Sequence, residues 1–342
     1  MRYPTWLEKG NTIGVTATSA GYESEADFAA LANGIRHFNE RGYGVLVTDN
    51  VRTSQRGRSS DGPTRARELM HLFRNREIRA VIAACGGDFL VEMLPYVDFR
   101  ELDADPKWIQ GYSDTTGLTF TITTNLDIAT IYSYNFSTFG MEQWHQSLEN
   151  SVKLLEGIDV VQHSFELYQD GHREKVTGLE SFELTEAVAW KNFCTGNNSG
   201  KEELILKGRL LGGCLDVLLN LIGTRYDKTL SFIDRYKSDG ILWFLESFDL
   251  GSEAMVRGLW QLKEAGWFRH AAGFIFGRPA MFRSYTDTSY EEAVLSVLGE
   301  LGLPIILEAD IGHKPPQFAM MNGAIAEIRS KGGKGSIHIE RR

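Results

Sequence analysis

The stretch "WIQGYSDTTGL" (Trp108–Leu118) carries an apolar run that stops abruptly at Gly111, presents Ser113, and resumes as small, helix-compatible residues. Its chemistry reads as a strand, a tight corner and the start of a helix. Two explanations of Ser113 fit that corner. A serine at a helix N-cap satisfies a loose N–H of the first turn. A serine on a sharp strand-to-helix corner is also how a nucleophile is held above a sheet, with the helix N-terminus favouring negative charge. The α/β-hydrolase form of that corner has glycine two residues after the serine, and here Thr115 stands there.

Working outward, strand-like and helix-like segments alternate. "TIGVTATSA" (Thr12–Ala20) is a buried strand ending in small residues. The segment after it places Phe28, Leu31, Ile35 and Phe38 at helical spacing, with Gly42 as its stop. "YGVLVTD" is a second strand, and "GPTRARELMHLFRN" a helix with Pro63 in its first turn and Leu69, Leu72 and Phe73 on one face. "IRAVIAACGG", "KWIQGYS" and "DIATIYS" complete five strands. Such alternation builds βαβ units and a mostly parallel sheet, whose ligands gather at strand carboxyl ends. Three of those ends, "TATSA", "ACGG" and "GYSD", are unusually small.

Beyond Gln143 the pattern weakens. "FELTEAVAWKNF" has no clear period, and "TGNNSGKEE" (Thr195–Glu203) is a loop signal. A second strand-rich α/β region follows. It comprises the strand "ELILKGRLLGG", the short helix "CLDVLLNLIG", the strand "DGILWFLES", an amphipathic helix capped at Ser252, and the strands "AAGFIFGRP", "PIILEADIGH" and "NGAIAEIRS" with "GSIHIE". The expected organisation is residues 1–145 carrying Ser113, a bridge over 146–205, and a smaller domain over 206–342.

Bulk properties narrow the function. A formal charge of −9 argues against nucleic acid as the main partner. No run approaches the ~20 apolar residues that cross a bilayer, and the first residues lack a secretory signal, so a cytoplasmic location is expected. The three cysteines, Cys85, Cys194 and Cys214, suggest no disulfide framework. Cys85 has no nearby basic residue to activate it and reads as small buried filler. Among the eight histidines no metal-ligand spacing occurs, so no metal and no cofactor are expected.

Three further stretches bear on chemistry. The glycines of "ACGGDF", Gly86 and Gly87, leave backbone N–H groups uncovered, suited either to an oxyanion or to a turn needing positive φ. "LWFLES" ends a large apolar run in Glu246, a carboxylate at a strand mouth that is costly to bury without a partner. "GHKPPQF" sets His313 before two stiffening prolines. Together these supply nucleophile, acid and base in the order Ser, Glu, His, each after a strand.

At this point the chain resembles the serine-type LD-carboxypeptidases, the family that includes the microcin C immunity peptidases. "TIGVTATSA", "IQGYSDTTGL", "GRLLGGCLDVLLNLIGT", "WFLES" and "GHKPPQF" carry the likeness in order. The resemblance implies a flavodoxin-like parallel-sheet N-terminal domain and a smaller strand-rich α/β C-terminal domain. It implies a Ser113–His313–Glu246 triad, with the N–H groups of Asp114 and of Gly86 or Gly87 as oxyanion donors. It also implies a cytoplasmic, metal-free homodimer acting on a short peptide or a peptidyl nucleotide. "GHKPPQF" is closer to the microcin-like form, and in that branch Trp190 would either stack on a planar group or anchor the bridge. Cys214 stands where asparagine is common, and Ala280 where an acid is expected. The competing class is a non-catalytic protein that binds a peptide or nucleotide with the same residues.

Overall fold

The computed structural model describes residues 1–171, 173–194 and 203–340. It divides into two units: residues 1–158 with 173–181, and 159–172 with 182–342. The loop read in Thr195–Glu203 lies, apart from Glu203, outside the described residues.

The first unit runs β1 (Thr12–Thr16), α1 (Glu25–Glu40), β2 (Gly44–Val47), α2 (Gly62–Arg74), β3 (Ile78–Ala83), α3 (Phe99–Ala104), β4 (Trp108–Gln110), α4 (Thr116–Leu126), β5 (Thr130–Tyr132) and α5 (Gln146–Leu155). Its strands pair in the order β2-β1-β3-β4-β5, all parallel. That is the flavodoxin-like order, with the topological switch between β1 and β3. Local chemistry places the helices. Ser24 and Asp27 form a reciprocal capping box at α1, and Asp61 caps α2 through the N–H of Thr64, with Pro63 in the first turn. Leu69, Leu72 and Phe73 are buried as their spacing predicts. In α1 Leu31 and Phe38 are buried, while Phe28 and Ile35 are only partly so.

The second unit runs β6 (Val161–His163), β7 (Leu167–Tyr168), β8 (Glu186–Ala187), β9 (Lys191–Phe193), β10 (Leu204–Cys214), α6 (Leu215–Leu221), α7 (Thr229–Arg235), β11 (Ile241–Glu246), α8 (Ser252–Glu264), β12 (Ala271–Gly277), α9 (Tyr290–Leu298), β13 (Ile305–Ala309), β14 (Met320–Asn322), β15 (Ile325–Lys331) and β16 (Lys334–Glu340). An eight-stranded sheet has the order β6-β16-β15-β10-β11-β12-β13-β9. Its centre, β10 to β13, is parallel, and the flanking strands are antiparallel. Every residue of β11 is buried, and Trp243 stacks on Trp267 with ring centres 5.9 Å apart. Burying each such large apolar side chain contributes roughly 1.5–3 kcal/mol.

Three expectations need correction. The second unit is not the smaller one, because the segment read as a bridge supplies it with four strands, β6 to β9. Those strands are two or three residues long, too short to show a period of two in the sequence. The same segment also contributes α5 and residues 173–181 to the first unit, so it is divided between the two. Finally, α8 is capped by Gly251. Ser252 is its first helical residue and is fully buried.

Candidate active site

In the first unit the carboxyl ends of β1, β3, β4 and β5 assemble around Ser113. The serine has φ 63°, a left-handed conformation that glycine adopts freely and serine does not. A 3₁₀ turn over Ser113–Thr115 leads directly into α4, and no side chain caps it. The N-cap explanation of Ser113 therefore fails; the residue sits in a strained strand-to-helix corner. Gly111 is required there. A Cβ on it would lie 2.8 Å from Oδ1 of Asn135, which accepts the N–H of Tyr112 at 3.2 Å.

Gly86 meets the serine from the end of β3. A Cβ on Gly86 would stand 2.9 Å from Ser113 Oγ, so only glycine lets this backbone approach the hydroxyl so closely. Gly87 has φ 142° and is pressed against Ser19, whose Oγ would be 2.4 Å from an added Cβ. Asp114 follows Ser113 and is 4 % exposed. Burial pushes its carboxyl up to about 6, against hydrogen bonds from Ser19 and from the N–H of Leu90. The thiol of Cys85 points to the carbonyl oxygen of Ala20 at 3.1 Å, and burial, with Asp27 and Glu23, pushes it up to about 12. The residue is half-buried rather than the fully buried filler the sequence suggested, and the raised pKa agrees with the absence of a basic neighbour.

In the second unit a carboxylate and an imidazole meet at the carboxyl ends of β11 and β13. Glu246 closes β11 and is 1 % exposed. Its Oε2 accepts a hydrogen bond from Nδ1 of His313 at 2.7 Å. A carboxylate only accepts, so Nδ1 carries the proton and Nε2 is the basic atom of the neutral ring. Burial lowers the pKa of His313, but the charge and hydrogen bond of Glu246, helped by Asp216, outweigh it and leave the ring above its ordinary value. Two glycines make room for the acid. A Cβ on Gly312, which has φ 91°, would fall 2.3 Å from Glu246 Oε2, and one on Gly277 would fall 3.0 Å from Glu246 Cβ.

The loop holding His313 is knitted to its surroundings. Phe318 N–H donates to Asp310 O at 2.7 Å, Gly312 N–H donates to Gln317 Oε1 at 3.3 Å, and Lys314 pairs with Asp170 at 2.7 Å. The Pro315–Pro316 peptide is cis. Sequence reading missed two neighbours of the pair. Phe248 packs its ring 4.8 Å from that of His313. Asp216 accepts the N–H groups of Phe248 and Asp249, both at 3.0 Å, fixing the turn after Glu246. The carboxylate two residues past Cys214, in "GGCLDVL", was the available signal.

Trp190 is 3 % exposed, and its indole N–H donates to Asp310 Oδ2 at 3.1 Å. Asp310 in turn pairs with the buried Arg278 at 2.7 Å. The buried indole packs as an anchor here, which favours that alternative over a stacking platform for a ligand. Among the described residues no three His, Cys, Asp or Glu side chains are grouped to hold a metal ion, and no helix is long and apolar enough to cross a membrane.

Known proteins resemble this chain over nearly its whole length. Residues 13–133 match the LD-carboxypeptidase N-terminal domain, and residues 207–328 the LD-carboxypeptidase C-terminal domain. A "Probable murein peptide carboxypeptidase" of Bacillus subtilis (strain 168) is 28% identical over 331 residues, 96% of this chain and 91% of that protein. The "Microcin C7 self-immunity protein MccF" of Escherichia coli is 25% identical over 324 residues, 93% of this chain and 90% of that protein. The crystal structure of an MccF-like protein from Bacillus anthracis str. Ames superposes with a TM-score of 0.82 at 24% identity and covers 100% of both chains, a likeness of fold.

Proposed function

The chain belongs to the LD-carboxypeptidase family, a family of peptidases, and on that premise we propose that it is a serine-type carboxypeptidase. In this reading it cleaves a C-terminal amide of a short peptide, either a murein tetrapeptide or a microcin-like peptidyl nucleotide. The observation that carries it is the corner at Ser113, where a serine is held at φ 63° against the Gly86 backbone. Strain of that kind costs on the order of 1–3 kcal/mol and persists at sites of function.

The reaction follows from the named atoms. Nε2 of His313 takes the proton of Ser113 Oγ as the oxygen attacks the scissile carbonyl carbon. The carbonyl oxygen gains the negative charge and accepts N–H donors from Asp114 and from the Gly86–Gly87 turn. When the tetrahedral adduct collapses, the C–N bond breaks and His313 returns the proton to the leaving nitrogen. Water then attacks the acyl ester by the same proton route and frees Ser113. Glu246 holds Nδ1 protonated and compensates the charge on the imidazolium throughout. The family resemblance adds a cytoplasmic homodimer working without metal or cofactor.

The reading is tested by a fluorophosphonate probe, followed by mass spectrometry of products from a murein tetrapeptide and from a peptidyl-aspartyl-adenylate mimic assayed side by side. Labelling confined to Ser113 with release of a C-terminal fragment from either substrate is the expected result. A chain that binds either compound without labelling or turnover is a binding protein, and the proposal is then wrong.

A further inference from the structure

Three side chains from separate elements of the first unit converge on one peptide group, that between Phe89 and Leu90. Its flanking N–H, at Phe89, donates to Ser19 Oγ at 3.0 Å. The Phe89 carbonyl accepts Nη1 of Arg65 at 2.9 Å. The Leu90 N–H donates to Asp114 Oδ2 at 2.8 Å. Ser19 lies near enough to Asp114 to lower its pKa against the effect of burial. Ser19, Arg65 and Asp114 are 1 %, 0 % and 4 % exposed. Arg65 is further held by Glu92 at 2.7 Å and bonds the carbonyl of Thr18 at 3.3 Å.

These bonds join two things that chain connectivity leaves separate. One is the turn of Gly86 and Gly87 after β3, whose Gly86 carbonyl also accepts the Ala20 N–H at 3.2 Å. The other is the corner bearing Ser113 after β4. Asp114 is the residue at the corner whose side chain reaches across. Burying a carboxylate is costly unless it is hydrogen-bonded, and here the bond from Leu90 N–H to Asp114 also fixes one backbone segment against the other.

Resting on the serine-peptidase reading above, we propose that Asp114 and Ser19 are positioning residues that lock the Gly86–Gly87 turn to the Ser113 corner. Asp114 thereby has two roles from one position. Its N–H faces the developing oxyanion, and its carboxylate sets where the second donor stands. Donor geometry matters because an oxyanion donor displaced from its place loses most of its effect, and complete loss of a donor costs roughly 10²–10³-fold in kcat.

The test compares wild type, Asp114→Asn and Ser19→Ala for the rate of Ser113 labelling by a fluorophosphonate, for kcat and KM on a cleaved peptide, and for thermal unfolding. Both variants are expected to fold, to label roughly 10- to 100-fold more slowly, and to lose kcat by a similar factor with KM nearly unchanged. That split separates positioning from a general loosening, which would raise KM and leave the ratio of labelling rates near one after correction for unfolded protein. Should Asp114→Asn fail to fold, Ser19→Ala carries the comparison. Folded variants that label and turn over at the wild-type rate overturn the proposal, as does loss of the fold in both. If wild type itself is not labelled, the serine-peptidase reading fails instead.

Discussion

His313 donates its Nδ1 proton to Glu246 across 2.7 Å, in a setting where the carboxylate is 1 % exposed and two glycines keep the space around it open. The pair forms wholly within the second unit, from the ends of β11 and β13.

A raised imidazole pKa fixes the sign of a pH effect. In the proposed mechanism the working base is the neutral ring, so activity should fall as pH drops through the pKa of His313. With Glu246 raising that pKa, the acid limb of kcat/KM is expected at higher pH than an ordinary imidazole would give. Glu246→Gln removes the charge that raises it, so the limb moves to lower pH and kcat falls by ~10³-fold or more. A pH–rate profile whose acid limb stays put in that variant would contradict the assignment.

On the proposed mechanism Ser113→Ala and Ser113→Gly both remove the nucleophile, and each should lose ~10⁴-fold or more of turnover and all fluorophosphonate labelling. They differ in stability. At φ 63° glycine is unstrained whereas alanine keeps the Cβ, so Ser113→Gly should be more stable than Ser113→Ala by about 1 kcal/mol. Urea titration of the two inactive proteins measures the difference. Equal midpoints would mean that the corner relaxes in solution.

Gly312 and Gly10 have nearly equal φ, 91° and 90°, but different surroundings. An added Cβ at Gly10 meets nothing within 4 Å, while one at Gly312 falls 2.3 Å from the Glu246 carboxylate. Gly10→Ala should cost only backbone strain, on the order of 1 kcal/mol, and leave kcat alone. Gly312→Ala should in addition displace Glu246 and reduce kcat by roughly 10²-fold or more. Parallel kinetics and thermal melts decide it.

Trp190→Phe keeps the ring packed on Phe318 and against Gly335 but deletes the bond to Asp310. An acceptor left short of a partner in the interior costs about 1–3 kcal/mol. The expected result is a lower urea midpoint with KM little changed. A large rise in KM with unchanged stability would return Trp190 to the role of a ligand platform.

Much of this was legible from spacing and residue type. The βα alternation, the helix stops and the small strand ends define the five parallel strands of the first unit, because each follows from local rules of period and capping. Glu246 and His313 were legible because a lone acid after "LWFL" and a histidine before two prolines are chemically out of place. The strands between Val161 and Phe193 were not: β6 takes its register from β16 and β9 from β13, far along the chain, while β7 and β8 are two-residue strands that pair only with each other. Arg65 shows the opposite case. It lies on the helical face shared by Leu69, Leu72 and Phe73, so a charged residue on a buried stripe was visible, but its partners in separate loops were not.

Cys85 stands one residue from Gly86, with its Sγ turned to the Ala20 carbonyl and its ionisation displaced to about 12. Near neutrality this sulfur is almost wholly un-ionised and a poor target for soft alkylating agents such as iodoacetamide. If Ser113 is the nucleophile, inhibitors built on hard phosphorus or boron centres would meet little competition from this sulfur. On that reading, activity that survives iodoacetamide but not a phosphonate would tell this protein from a thiol hydrolase in crude extracts.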